Sequence, residues 1–324
     1  MEQSARVFLP QSEGDLAGFI TEFLEDCRLR DMTHYTILSY GSALRSFRQH
    51  LNDLGIDEVK RIDRDHIRDY VRLLREGRKL SQSTIENHLS TISSLFEYLV
   101  YERIIESNLA LSVRKRYLRR YKSDGYGDAH TRKMITVEQL KMLVDSILSP
   151  RDKAVVLLLA KTGIRREELV TIDLDDIELL SLKLVLKPKP KRSNRTVFFD
   201  EECARALQDW LAIRVRYATK GVPALFITES GGRLNRNGVY QLVTRHATRV
   251  GLHNPASDRL EDHLTPHCLR HWFTTYLRRN GMPREMIQEL RGDVRKEAID
   301  IYYHIDEEQL RRAYLQFIPR LGIR

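Results

Sequence analysis

Two segments of the chain carry side chains that suit the binding of a phosphate group. Arg165 opens a predicted helix within TGIRREEL (162–169), directly after a glycine that ends the preceding helix. His267 and Arg270 lie three residues apart within TPHCLRHWFTTYL (265–277), where a proline favours a helix start and both side chains share one face. A phosphate is well held by a fork of cationic donors beside a proton donor. Considered alone, an arginine at a helix start such as Arg165 is more often a surface cation.

Two further segments supply candidates for proton transfer and for nucleophilic attack. A basic turn, KPKPKRSNR, spans residues 187–195 and carries three lysines at its rim. Two adjacent tyrosines, Tyr302 and Tyr303, lie within LRGDVRKEAIDIYYHI (290–305). The turn could enter a DNA groove or simply face solvent, and paired tyrosines are usually packing residues. The chemistry therefore depends on the four segments acting together.

The net charge of the chain favours a polyanionic partner. Lys and Arg number 54 against 45 for Asp and Glu, which gives a formal charge of +9 and a pI near 9.4. Lys and Arg displace counterions from nucleic-acid phosphates. Many basic proteins bind no nucleic acid, so charge alone does not decide the partner.

Cysteine usage and hydropathy favour a cytoplasmic protein that does not enter a membrane. The three cysteines Cys27, Cys203 and Cys268 are scattered, without the paired spacing of a zinc site or a disulfide framework. The longest apolar run, residues 155–160, is too short to span a bilayer. The N-terminus shows no secretion signal. We therefore expect a cytoplasmic location and no metal site.

The N-terminal region reads as a four-helix domain. Apolar residues recur at helical spacing, as in Ile85, Leu89, Ile92 and Leu95. A run without acidic residues, RKRYLRRYK, then begins at residue 114 and leads into a glycine-containing stretch typical of a linker. We expect the domains to divide as follows: 12–112, the helical N-terminal domain; 113–133, a basic linker; 134–324, the C-terminal domain.

The C-terminal region predicts a mostly helical domain with a small antiparallel sheet. Thr136 with Gln139 forms a capping-box signature, and Ser149-Pro150 suits the start of the next helix. Leu182, Leu184 and Leu186 alternate with Lys183, Val185 and Lys187, and the chain is extended again at 195–199, which predicts a β-hairpin with a basic turn. The whole chain is therefore expected to be mainly α.

The order Arg, Lys, His-x-x-Arg, Tyr resembles the tyrosine recombinase family, which includes bacterial and archaeal chromosome-dimer resolvases and phage integrases. TGIRREEL resembles the first arginine box of that family and HCLRH resembles the second. AIDIYYH resembles its tyrosine box, in which the nucleophile precedes a histidine by two residues, and this selects Tyr302 with His304 behind it. TILSYGSALRSF and STIENHLSTISSLFEYL resemble the family's helical core-binding domain. The resemblance covers nearly the whole chain.

Two positions depart from the family pattern. The family usually has Leu-Gly-His nine residues before the tyrosine, whereas this chain has Arg291, Gly292 and Asp293, so that Asp293 replaces a histidine of the active site. The catalytic lysine of the hairpin turn falls about five residues before an arginine that resembles Arg195. That position is a proline here, and we rank the neighbouring lysines in this order: Lys191, Lys189, Lys187.

The resemblance implies a reaction that needs no cofactor and no metal. Tyr302 attacks a scissile phosphate, forms a 3′-phosphotyrosine and frees a 5′-hydroxyl. Arg165 and Arg270 bind the non-bridging oxygens and stabilise the transition state. His267 assists as a hydrogen-bond donor or as a general base toward the tyrosine, and the hairpin lysine protonates the leaving oxygen.

The expected partners are double-stranded DNA and further copies of the chain. Six cations are expected to contact DNA: Arg114, Lys115, Arg116, Arg119, Arg120 and Arg195. The resemblance implies a protein that is monomeric in free solution and tetrameric on paired DNA sites. The predicted helix 306–317 carries an apolar stripe, which we expect a neighbouring subunit to cover, although its own domain could cover it instead.

Two alternative functions share part of this pattern. A type IB topoisomerase uses Arg, Lys, Arg, His and Tyr chemistry on a related fold, but it relaxes supercoils instead of exchanging strands between two sites. A catalytically inactive DNA-binding relative is the other alternative. Intact Arg165, Arg270 and Tyr302 argue against inactivity, whereas Asp293 keeps that alternative open.

Overall fold

The chain folds into two compact units, each with its own apolar core. The computed structural model describes residues 15–117, 133–188, 194–293 and 305–323. The units are Met1–Gly127 and Asp128–Arg324. Within the described ranges, no helix combines the length and apolar character that would let it cross a membrane.

The first unit is built from helices, as the apolar spacing predicts. Its described part holds five α-helices: α1 (Leu16–Leu29), α2 (His34–Asp53), α3 (Arg64–Arg72), α4 (Gln82–Tyr101) and α5 (Leu109–Tyr117). Asp15, Thr33 and Ser81 cap α1, α2 and α4 by accepting hydrogen bonds from backbone N–H groups of the first turn. The helices pack around a common core that buries several aromatic side chains, among them Phe23 and Phe47. The four predicted helices are confirmed, and α5 follows them.

The fifth helix changes the predicted start of the basic linker. Three cations of that linker lie on α5: Arg114, Lys115 and Arg116. Ala110 and Val113 pack into the core of the unit and hold the helix in place, while the three cations remain exposed. The predicted start of the linker at residue 113 is therefore wrong, because residues 113–117 belong to a helix with a buried apolar face. Arg119 and Arg120 lie outside the described residues.

The second unit surrounds one central helix. Its described elements are α6 (Val137–Asp145), α7 (Pro150–Thr162), α8 (Arg166–Leu169), β1 (Ile177–Glu178), β2 (Lys183–Val185), β3 (Thr196–Phe198), α9 (Glu201–Arg214), α10 (Arg236–Arg249), α11 (Pro266–Arg279), α12 (Arg284–Arg291) and α13 (Glu307–Phe317). Every residue of α7 from 154 to 162 is buried, because α9, α10 and α11 pack around it. The predicted capping box at Thr136 and the predicted start at Ser149-Pro150 are both confirmed.

The predicted hairpin is part of a three-stranded antiparallel sheet. The strand order is β1-β2-β3, and Leu184 of β2 pairs with Val197 of β3. Both side chains are fully buried, so one face of the hairpin packs on the core as the alternating pattern indicates. The additional strand, β1, pairs with the other edge of β2.

The C-terminal helix α13 packs on its own unit. Asp306 caps it by accepting from the backbone N–H of Gln309, as predicted. Leu310 and Tyr314 of the apolar stripe are buried, and the Tyr314 hydroxyl donates to the backbone oxygen of Lys161 at 2.9 Å. The chain's own domain covers Leu310 and Tyr314, since α11 and α12 contact the helix that carries them, whereas coverage of the rest of the stripe by a neighbouring subunit stays a prediction.

A buried ion cluster anchors the segment after α13. The ammonium group of Lys161, which is fully buried, donates to carboxylate oxygens of Asp200 and Glu202 and to the backbone oxygen of Pro319. Glu202 accepts in turn from the backbone N–H of Leu321 at 2.9 Å. The end of α7 and the C-terminal segment are thus tied to each other by charge-assisted hydrogen bonds.

We expect Lys161→Met to lower the free energy of unfolding by about 3–5 kcal/mol, because it leaves two buried carboxylates without their cation. Urea unfolding of the full-length protein measures the loss. Lys153→Met is the matched control, since Lys153 lies on the same helix and is only partly buried. Equal losses in the two variants would contradict the assignment of the ion cluster as a stabilising element.

Candidate active site

The turn after α7 positions Arg165. Gly163 ends α7 with φ of 61°, a left-handed conformation that favours glycine, and the ring of Phe273 lies where a β-carbon would stand. Arg165 is the cap residue of α8, and its backbone N–H donates to Oε2 of Glu168 at 2.6 Å. Oε1 of the same carboxylate lies 3.2 Å from Nη1 of Arg165. Glu168 therefore orients both the backbone and the guanidinium group of Arg165.

Arg270 is held from two sides at the start of α11. It is 5% exposed, and Nη1 donates to the backbone oxygen of Gly163 at 2.5 Å. Nη2 donates to the backbone oxygen of Arg291 at 3.1 Å. Burial, with the nearby charges of Arg165 and Arg291, lowers the pKa of Arg270 to about 10. The group is still a cation at neutral pH, and its direction is fixed by the two backbone oxygens.

Asp293 lies between the guanidinium groups. Gly292, with φ of 62°, ends α12 and turns the chain so that Asp293 follows directly. Oδ1 of Asp293 lies 3.2 Å from Nη2 of Arg270 and 3.5 Å from Nη2 of Arg165. Oδ2 lies 3.1 Å from Nε of Arg291. One carboxylate thus faces three cations.

A cavity of about 440 Å³ opens beside these arginines. Its cationic and aromatic lining consists of Arg165, Arg166, Arg236, Tyr240, His267 and Arg270. His267 is exposed, and its ring centroid lies 4.7 Å from that of His271 in an edge-on arrangement. Four guanidinium groups and an imidazole thus line the cavity together with one carboxylate, that of Glu167.

Sequence reasoning missed three residues of this cavity. Arg236 begins α10 behind the cap residue Asn235, and its Nη1 lies 4.0 Å from a carboxylate oxygen of Glu167. The guanidinium carbon of Arg166 lies 5.8 Å from the ring centre of Tyr240. Asn235 is a typical N-cap residue, so the sequence contained a signal that Arg236 lies at the start of a helix. The packing of α10 against α8, which brings these residues to the cavity, has no signature in the sequence.

The structure brings four of the predicted catalytic residues together: Arg165, His267, Arg270 and Asp293. Lys187, the third-ranked lysine, pairs instead with Asp176 at 2.8 Å and Asp173 at 3.2 Å. Arg195, predicted to bind DNA, is exposed and donates through Nε to the backbone oxygen of Leu186 at 2.7 Å. Three predicted catalytic residues lie outside the described residues: Lys189, Lys191 and Tyr302.

Both units match family models. Residues 133–309 match the phage integrase family, and residues 20–103 match the phage integrase N-terminal SAM-like domain. The chain is similar to the tyrosine recombinase XerC of Vibrio parahaemolyticus, with 27% identity over 90% of this chain and 89% of the relative. It is also similar to the tyrosine recombinase XerC of Alcanivorax borkumensis, with 30% identity over 76% of each chain.

Solved structures share the fold. A lambda integrase bound as a dimer to a core site aligns with a TM-score of 0.66 and 16% identity, over 91% of this chain and 99% of that chain. The XerH site-specific recombinase bound to its difH substrate aligns with a TM-score of 0.62 and 20% identity, over 91% of this chain and 83% of that chain. The fold is that of tyrosine recombinases, mainly helical with a small antiparallel sheet.

The fold and the match of the catalytic unit define the class of protein: a DNA-recombining enzyme of the tyrosine type. The chain belongs to the phage integrase family. Its activity is site-specific DNA recombination, in line with its similarity to tyrosine recombinases. This favours the recombinase over the type IB topoisomerase and over an inactive relative, the two alternatives that the sequence alone left open.

Proposed function

We propose that the enzyme cleaves and rejoins DNA through Tyr302, with Arg165 and Arg270 binding the scissile phosphate and His267 beside them. The observation that carries this proposal is the convergence of these two arginines and His267 on one cavity of about 440 Å³. The phenolic oxygen of Tyr302 attacks phosphorus, the bond to the 5′-oxygen breaks, and a 3′-phosphotyrosine remains. The new ester conserves the energy of the broken bond, so rejoining is the same reaction in reverse.

Each of the three groups has a role that follows from its environment. Arg270 is fixed by two backbone oxygens, which suits a donor that must be in place before charge develops on the phosphate. Arg165 is oriented by Glu168 and is more exposed, so it can meet a second oxygen of the same phosphate. His267 is exposed at the cavity and within reach of a substrate as a hydrogen-bond donor or general base.

The proton for the leaving 5′-oxygen is assigned to Lys191, with Lys189 as the alternative. Hydrogen bonds to Asp176 and Asp173 raise the pKa of Lys187, which makes this third lysine a poorer acid. They also hold its ammonium group at two carboxylates. This environment suits a structural ion pair better than a proton donor.

The substrate is proposed to be double-stranded DNA, which both units contact. The lambda integrase and XerH structures of the same fold contain bound DNA. In the first unit, the exposed cations of α5 form a surface that suits contacts to DNA phosphates. The buried cysteines are unpaired, which suits the reducing cytoplasm in which we place the enzyme.

We expect replacement of Arg114, Lys115 and Arg116 by Gln to reduce the salt dependence of DNA binding. Each lost phosphate contact lowers the slope of log affinity against log salt by about 0.9, so three contacts lower it by about 2.7. Fluorescence anisotropy over a series of salt concentrations measures the slope. Arg114→Lys with Arg116→Lys keeps the charge and should leave it unchanged. A slope equal to that of the wild type in the Gln variant would place α5 away from the DNA.

The assembly is proposed to be a tetramer on paired sites that forms from monomers. Exchange between two duplexes cuts four strands, and each chain carries one proposed nucleophile, so four chains are required. Because α13 and the segment after it are packed in cis, the free chain buries Leu310 and Tyr314 of its own apolar stripe and is expected to be monomeric.

Light scattering with and without paired sites, combined with analysis of the DNA products, tests this function. We expect a monomer alone, a tetramer with paired sites, and products in which flanking sequences have been exchanged. A monomer on every DNA that only relaxes supercoiled plasmid would contradict the proposal and favour topoisomerase chemistry.

A further inference from the structure

The carboxylate of Asp293 occupies a position at which a phosphate oxygen would be bound. Its Oδ1 lies within 3.2 Å of Arg270 and 3.5 Å of Arg165, so a single anionic oxygen meets both guanidinium groups. A non-bridging oxygen of a phosphodiester held by two arginines has the same arrangement. Since α12 ends in a left-handed glycine immediately before Asp293, the backbone directs this side chain toward the arginines.

We propose that Asp293 is a built-in counter-anion of the active site, which the scissile phosphate must displace from Arg165 and Arg270. This inference rests on the proposed function, because it takes these two arginines as the phosphate-binding pair. In the absence of DNA the carboxylate compensates the buried cation and holds the two side chains near the geometry that they need. When DNA binds, a phosphate oxygen exchanges with the carboxylate oxygen, and Asp293 retains its contact with Arg291.

The position of Arg291 supports such an exchange. Its Nε lies 3.1 Å from Oδ2 of Asp293, on the carboxylate oxygen that does not face Arg270. The carboxylate is about one-third exposed, so it can rotate toward solvent without opening the core. Arg270, in contrast, is almost fully buried and stays in place through its backbone contacts.

The consequence is that Asp293 opposes the binding of anions. A fixed negative charge at this distance reduces the affinity of the arginine pair for any anion, and the reduction grows with the charge of that anion. A residue that only positions the arginines would have the opposite effect, because its loss would weaken binding. The sign of the change in Asp293→Asn therefore separates the two roles.

Binding of two tetrahedral oxyanions to the full-length protein tests the proposal. Asp293→Asn should bind tungstate, a dianion, about tenfold more tightly than the wild type and perrhenate, a monoanion, only about threefold more tightly. Isothermal calorimetry in the absence of DNA measures both. Asp209→Asn, at an exposed position of α9, is the control for net charge and should change neither affinity. Asp293→Ala also removes the carboxylate and should raise both anion affinities. It replaces Asp293→Asn if the amide side chain perturbs folding.

The outcomes distinguish this inference from the proposed function. In one outcome, Asp293→Asn and Asp293→Ala bind tungstate no more tightly than the wild type, and Arg270→Ala does not bind it. This result would overturn the counter-anion role and leave the assignment of the phosphate site intact. Tungstate binding that persists in Arg270→Ala would overturn both the inference and the assignment of the arginine pair. The absence of tungstate binding in the wild type and in every variant would do the same.

Discussion

Tyr302→Phe should abolish the covalent protein–DNA adduct on a nicked suicide substrate and leave DNA binding nearly intact. The substitution removes only the phenolic oxygen that we propose attacks phosphorus, and binding is expected to depend on cations of both units. Denaturing gel electrophoresis detects the adduct, and a gel shift measures binding. Tyr303→Phe is the matched control, because it removes the same atom from the adjacent residue. An adduct that forms in Tyr302→Phe but not in Tyr303→Phe would move the nucleophile to Tyr303.

Arg270→Ala should slow adduct formation by about 10²–10³, while the affinity for DNA changes by only a few-fold. Removal of one preorganised donor to the developing charge typically has an effect of this size. The rate of adduct formation under single-turnover conditions measures the effect on the transition state.

Arg270 also contacts two backbone oxygens in the folded chain, so a matched variant is needed. Arg165→Ala fills this role, because Arg165 is more exposed and lies at the surface of the same site. Both variants should show a loss of rate with nearly normal binding. Affinity that falls in step with the rate in Arg165→Ala would contradict a role in the transition state.

The local signals predicted these elements correctly because short-range chemistry decides where helices begin and end. Ser149-Pro150, Thr136 with Gln139, and Asp306 each cap the helix that their spacing predicts. Gly163 likewise ends α7 where only a small side chain fits beside Phe273. Such features involve residues a few positions apart, so the sequence shows both partners at once.

Long-range packing was not available from the sequence. The apolar stripe of α13 is equally suited to its own domain and to a neighbour, and only the structure shows Tyr314 donating to Lys161. The ion cluster of Lys161 joins residues that are 39 and 41 positions apart. Arg236 reaches the cavity because α10 packs on α8, which no short motif encodes.

The replacement of the usual histidine by Asp293 shows the same limit. The sequence shows the change of residue, but its meaning depends on which cations surround the carboxylate. The structure places Arg165, Arg270 and Arg291 around it, so the carboxylate contacts three guanidinium groups, which suits the counter-anion role that we propose. A local departure from a family pattern therefore needs the surrounding geometry before its role can be assigned.

Mass spectrometry of the trapped adduct tests the central claim most directly. Trypsin cuts after Lys296 and Arg311, so one peptide, residues 297–311, contains both Tyr302 and Tyr303. Tandem fragmentation of that peptide should place a nucleotide, linked through its 3′-phosphate, on Tyr302. A nucleotide found on Tyr303, on a residue outside this peptide, or linked through a 5′-phosphate would contradict the account.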